Sequence, residues 1–283
     1  MPDATAAIRP TPAAILARLR RDPWLLGGLL LTLVAVVVPL WVADLLPFMD
    51  LPQHLAAVRT LHSFSDPALG LDRFHVIDLS RTQYLSYYFA VDWLSWLMSL
   101  ETANRVVLSL YALGVPLSLA AFLRAFDRDP AFALLAAPLA WNTFLFMGFA
   151  NYLVAIPLMF WALALLGSLM RRFCWRRFAG LTAVTVLIFY SHAQIFGLYV
   201  GLAGLVGLFG GGGLHPRHWW RQSMHLLPAM LLLGVWMSRS LILAGADSWQ
   251  AGHGGRNVTD TEVRFEPLLE RFVTLPRQLL DAY

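Results

Sequence analysis

Long apolar stretches alternate with short polar ones along almost the whole chain. Residues 24–46, 106–122, 131–149, 153–170 and 224–246 are apolar runs of roughly the length, about 20 residues, needed to cross a bilayer as a helix. Residues 179–209 form a longer run, interrupted by Ser191-His192-Ala193-Gln194. That length and that polar break predict two short spans joined by a tight turn. Residues 84–100 are apolar and aromatic but short, and Asp92 interrupts them. The pattern predicts an all-α fold: a polytopic transmembrane helical bundle with short amphipathic surface helices in its first external loop.

That loop holds the first candidate chemistry. It opens directly after the first apolar run with Pro47-Phe48-Met49-Asp50-Leu51-Pro52-Gln53-His54. Asp50 with Gln53 matches a helix N-cap with its capping-box partner, and Pro52 suits the first turn. Leu51, Leu55, Val58 and Leu61 then recur at helical spacing, so residues 51–64 read as a helix lying on the membrane surface. Ser65-Asp66-Pro67 ends it. Residues 71–78 form a second short piece carrying Arg73, His75 and Asp78. Asp50 and His54 stand four residues apart, one helical turn, and so face the same way. A carboxylate and an imidazole on one face at a lipid–water boundary suit acid–base work on a substrate held there. Asp50 as a cap and nothing more is the plainer alternative.

Composition sharpens the class. The chain is 58% hydrophobic and 13% charged, far from the balance of a soluble domain. The net charge of +4 comes with arginines placed between apolar runs, as in cytoplasmic loops, so it calls for no nucleic acid partner. Cys174 is the only cysteine, which excludes an internal disulfide and a cysteine metal cluster. The run 24–46 is longer than the core of a signal peptide and no small-residue cleavage site follows it, so it reads as an uncleaved span with the N-terminus inside.

The charge bias also predicts topology. If residues 84–100 dip in or lie at the outer face and 179–209 is a helical hairpin, Arg124, Arg128 and the cluster 171–177 all fall on the cytoplasmic side. Asp50, His54, Asp78, Arg81, Asn142, Asn151, His192 and Gln194 then share the external face. The expected organisation is a cytoplasmic segment 1–23, a membrane domain 24–246 whose external loop 47–83 carries Asp50, and an external tail 247–283. The expected location is a bacterial inner membrane, multi-pass. A chain that ends after an external amphipathic stretch, 265–280, reads as a piece of a longer relative.

This layout is similar to that of the C-type (GT-C) integral-membrane glycosyltransferases, including their mannosyltransferase and aminoarabinose-transferase groups. The resemblance rests on Asp50 in Asp50-Leu51-Pro52-Gln53-His54, on the aromatic run Tyr84-Leu85-Ser86-Tyr87-Tyr88-Phe89, and on Glu101-Thr102-Ala103-Asn104-Arg105. It covers roughly the first 245 residues. The chain departs from the family where a second acid is expected before the aromatic segment; Ser80-Arg81-Thr82-Gln83 stands there, and Asp78 is the nearest substitute. The resemblance implies transfer of a sugar from a polyprenyl-phosphate donor to an acceptor at the outer face. Asp50 would be the base, with His54 beside it. Asp78, Arg81, Tyr84 and Arg239 would bind substrate, the two arginines because guanidinium suits phosphate. Membrane lipids and the lipid-linked donor are the expected partners. No metal or cofactor is expected; a divalent ion on Asp50, His54 and Asp78 is the less favoured alternative. A non-catalytic membrane subunit that keeps the same scaffold and binds a partner protein is the alternative function.

Overall fold

The structure is a computed structural model, and it describes residues 23–77, 79, 82–209 and 223–251. Among these, all regular secondary structure is helical. In chain order the α-helices are α1 (Pro23–Val42), α2 (Leu51–His62), α3 (Ser86–Ser95), α4 (Leu100–Ala125), α5 (Ala137–Ala140), α6 (Thr143–Met147), α7 (Ala150–Arg171), α8 (Trp175–Ser191), α9 (Ala193–Phe209) and α10 (Leu227–Ala251). Short 3-10 turns stand at Leu71–Arg73, Pro130–Ala136 and Met224–Leu226. The chain divides into two compact units at residue 237, within α10. The first unit contains α1 to α9 and the start of α10.

The long helices α4 and α7 form the axis of the first unit. At 1.5 Å per residue, their 26 and 22 residues reach about 39 and about 33 Å. Both are apolar enough to cross a bilayer. A third crossing exists if Pro130–Ala136 and Pro138–Met147 count as one span, although the two are bent by 47°. The run 131–149, expected as one straight span, is therefore broken. Its physical cause is local: Trp141 and Asn142 leave helical geometry, and the Asn142 side chain accepts from Leu145 N (3.1 Å) to cap a new helix. At the other end, Gly148 closes α6 in the left-handed region, φ +84°.

Helices α4 and α7 pack closely because Gly114 faces Pro157; a Cβ on Gly114 would meet the proline ring at 3.0 Å. Around this axis lie three apolar clusters. One joins α7, α8, α9 and the start of α10 through Leu163, Leu166, Leu181, Ile188, Phe196 and Tyr199. A second packs α1 and the loop after it, through Val36, Leu40, Phe48 and Leu51, against Leu108, Tyr111 and Leu153. The third fastens α2 and α3 to α4 through Val58, Tyr87, Val91, Ala103 and Val107.

Residues 84–100 do not make a span. They give the ten-residue α3, which rises only about 15 Å, half the hydrocarbon thickness. One side of this segment is sealed by Tyr87 and Val91, while Phe89, Trp93, Trp96 and Leu97 are exposed. Asp92, unexplained by the sequence pattern, pairs with His62 of α2 at 2.9 Å. Residues 179–209 divide as expected at His192, whose backbone is extended and which alone links the 17-residue helices α8 and α9. The stretch Glu101-Thr102-Ala103-Asn104-Arg105 forms the first turns of α4, capped by Ser99, whose side chain accepts from Thr102 N. Arg105 reaches back to the end of α1: Nη1 donates to Leu40 O (2.6 Å) and Nη2 to Asp44 O (2.8 Å). A fixed cation on the last carbonyls of a helix satisfies groups that the helix itself leaves open.

Arg105→Met should therefore free the exit of α1. Thermal unfolding of the purified protein in mild detergent should register a loss of about 1–3 kcal/mol, the scale of a charged hydrogen bond removed from partly buried acceptors. An unchanged midpoint would show that the guanidinium carries no such role.

Candidate functional site

The site is built where the exit of α1 meets the end of α6. Met49 N donates to Phe146 O (2.9 Å) and Asp50 N to Met147 O (3.0 Å), so the turn before α2 is bonded to the last carbonyls of α6. This approach is possible only because residue 148 is glycine. A Cβ there would lie 2.8 Å from Asp50 N and 2.9 Å from Leu51 N, and the φ of +84° disfavours any side chain. Asp50 and the start of α2 are thus pressed against the start of α7.

The expected capping box does not form. Asp50 is the N-cap of α2, but its side chain makes no cap hydrogen bond. The reason is visible in the backbone. Asp50 has φ −89° and ψ −3°, near-helical rather than extended, and its N–H is already taken by Met147 O. A Gln53 side chain therefore finds no free N–H to reach back to, and Gln53 is exposed. The Asp50 carboxylate is left for other use.

It lines a cavity of about 240 Å³ together with His54, Tyr84, Tyr88, Phe149, Asn151, Tyr152 and His192. Four segments supply these residues: α2, the entry and first turns of α3, the start of α7, and the α8–α9 break. Backbone bonds hold the segments in place. Leu85 N donates to Tyr190 O (2.7 Å) and Ser86 Oγ to Leu187 O (3.2 Å), which ties the entry of α3 to the end of α8. Tyr84 and Tyr152 consequently flank His192, with ring centroids at 5.0 and 5.1 Å. His192 Nδ1 accepts from Gln194 N (3.3 Å), and His192 also lines the cavity.

His54 is held on two sides. Its Nδ1 is hydrogen-bonded to Tyr88 Oη at 2.6 Å, and the Gly148 carbonyl stands close enough to the ring to favour its protonated form. Burial pushes the His54 pKa below 6.5, against the smaller opposing effects of the Asp50 charge and the Gly148 carbonyl. His54 is thus neutral at pH 7.

Of the sequence-derived candidates, Asp50, His54 and Tyr84 come together around this cavity. Asp78 and Arg81 lie outside the described residues, as does the stretch 265–280. Arg239 is exposed and belongs to the second compact unit. Sequence reasoning passed over Phe149 and Tyr152, and placed Asn151 and His192 only on the same face as Asp50. Gly148 between Met147 and Phe149 was the one readable signal for them, since a lone glycine ahead of an apolar run marks a helix end or a close backbone approach. Among the described residues no three His, Cys, Asp or Glu side chains gather as metal ligands. Neither a family model, a curated protein nor a solved structure matches this chain.

The geometry generates a pH prediction. A histidine whose folded pKa lies below its unfolded value makes the unfolded state the stronger proton binder, so stability rises with pH. The contribution of neutral His54 is complete above pH 6.5 and is lost as pH falls through the lowered folded value. NMR titration of the imidazole should give a midpoint below 6.5, and His54→Gln should flatten the acid limb of stability against pH. A midpoint at or above 6.5 would contradict the burial of the ring.

Proposed function

We propose that this is a multi-pass membrane glycosyltransferase that moves a sugar from a polyprenyl-phosphate-linked donor to an acceptor, with Asp50 as general base. The observation that carries this reading is the Asp50 carboxylate: free of its helix-capping bond, it borders an aromatic cavity where the chain leaves its first apolar helix. In the reaction the acceptor hydroxyl attacks the anomeric carbon and its proton passes to Asp50. The bond from the anomeric carbon to the phosphate oxygen breaks, and polyprenyl phosphate leaves with the electron pair. Water later takes the proton from Asp50. His54, neutral and fixed between Tyr88 and Gly148, keeps that wall of the cavity in position.

The helices α1, α8, α9 and α10 are apolar, and this reading takes them as further passes beside α4 and α7. It puts the N-terminus in the cytoplasm and the Asp50 cavity at the external face of a bacterial inner membrane. The arginines at 171–177 then meet the inner leaflet, in keeping with the bias of basic residues toward the cytoplasm. Among the described residues no arginine lines the cavity. Arg81, just ahead of the aromatic run in sequence, is the candidate contact for the donor phosphate.

The sequence Ser80-Arg81-Thr82-Gln83, which stands where a second acid is expected, favours a second reading, a non-catalytic membrane subunit that keeps the scaffold and binds a partner protein.

The test is transfer from radiolabelled polyprenyl-phosphate sugar in membranes carrying wild-type protein or Asp50→Asn. The proposal expects wild-type transfer and a fall of at least about 100-fold in the variant, the scale of a lost general base. Undiminished transfer in Asp50→Asn would refute the base assignment. No transfer by the wild type, with a partner complex destabilised when the protein is deleted, would favour the second reading.

A further inference from the structure

The charge of the cavity decides what it can hold. Among the described residues, Asp50 is the only carboxylate that lines it, and none of the lining residues is an arginine. His192 accepts at Nδ1 from the Gln194 amide and is a neutral ring, and burial disfavours a charge on His54. The described wall thus carries one net negative charge. Around that charge stand the aromatic side chains of Tyr84, Tyr88, Phe149 and Tyr152. Asn151 adds an unusual element: it lines the cavity, is 5% exposed, and its buried Oδ1 has no partner among the described residues. A buried acceptor left open costs free energy unless something donates to it.

A carboxylate without its capping bond, an unpartnered amide oxygen and aromatic faces have one ligand chemistry in common. Each is satisfied by a positively charged donor: the carboxylate by charge, the amide oxygen by an N–H, the rings by cation–π attraction. An anion would meet an unscreened carboxylate. A neutral hydroxyl would supply one donor but gain nothing from the ring faces.

We propose that the cavity recognises an organic ammonium group, and that the acceptor bound beside Asp50 is an ammonium-bearing alcohol. This rests on the reading of Asp50 as the base at the acceptor site and adds the acceptor's chemical class. The ammonium sits against the aromatic wall and Asn151, and its neighbouring hydroxyl is the group that donates to Asp50. Such a group is supplied either by a soluble amino alcohol or by the ethanolamine head of a membrane lipid.

The experiment is a binding titration of the purified full chain in neutral detergent, read from the His54 imidazole NMR shift. The probes are ethanolamine, its uncharged analogue ethylene glycol and its anionic analogue glycolate, at one pH and ionic strength. Ethanolamine should saturate the shift at a concentration at least ten-fold below ethylene glycol, and glycolate should produce no saturable change. Asp50→Asn, and separately Tyr152→Leu, should raise the ethanolamine half-saturation at least ten-fold. Equal response to ethanolamine and ethylene glycol would overturn the proposal on wild-type protein alone, whatever the variants do. So would tighter binding of glycolate.

Repeating the titration in nanodiscs assigns the source. A response blunted in phosphatidylethanolamine relative to phosphatidylglycerol points to the lipid head group; an equal response points to a soluble ligand, and both outcomes retain the ammonium site. Because no sugar transfer is measured, loss of ammonium selectivity would remove the acceptor class and leave the base assignment to the transfer assay.

Discussion

The absence of a side chain at Gly148 is the constraint on which the candidate site depends. Two backbone hydrogen bonds bring the segment after α1 against the end of α6, and a single Cβ at residue 148 would overlap the Asp50 amide. Everything that faces the cavity from α2 inherits its position from that contact. Asp50, held there with near-helical φ and ψ and its N–H given to Met147 O, makes no side-chain capping bond, and His54 lies one turn further on, half-buried beside the Gly148 carbonyl. A backbone requirement of one residue thereby sets where a carboxylate and an imidazole meet the cavity.

The rest of the unit supplies a rigid frame for that junction. Helices α4 and α7 meet through Gly114 and Pro157, and their buried faces are filled mainly by small and branched residues. In a bilayer such close backbone approach replaces the hydrophobic drive that water would provide. The polar contacts sit near helix ends: Arg105 on the exit of α1, Tyr87 donating to Asn104 Oδ1 (2.7 Å), His62 with Asp92. Each joins a short surface helix to another element or closes a helix terminus. The cavity therefore opens among elements tied from several directions, which is what a preorganised binding site needs.

Much of the architecture was legible from periodicity. Runs of apolar residues gave α4 and α7, helical spacing gave α2 to within two residues, and the polar break at His192 marked the boundary of α8 and α9. The pairing of Asp50 with His54 followed from four-residue spacing. What failed was whatever depended on a long-range backbone contact. The capping box was read from Asp50 and Gln53 alone, and nothing local shows that Met147 takes the Asp50 amide. Residues 131–149 read as one span because apolar composition is blind to the Asn142 cap that restarts the helix. Tyr152 and Phe149 were invisible as cavity residues for a related reason: an aromatic in an apolar run has the same pattern whether it faces lipid, core or ligand.

The central claim is that the Gly148 junction builds the Asp50 cavity. Its most direct test is the His54 imidazole titration in Gly148→Ala, compared with wild type in the same detergent. If the account is right, the added Cβ pushes the Asp50–Leu51 backbone away, the burial that dominates the His54 shift is lost, and the midpoint rises toward 6.5 while the helical content of the protein is kept. A variant that folds with the His54 midpoint as low as in the wild type would contradict it.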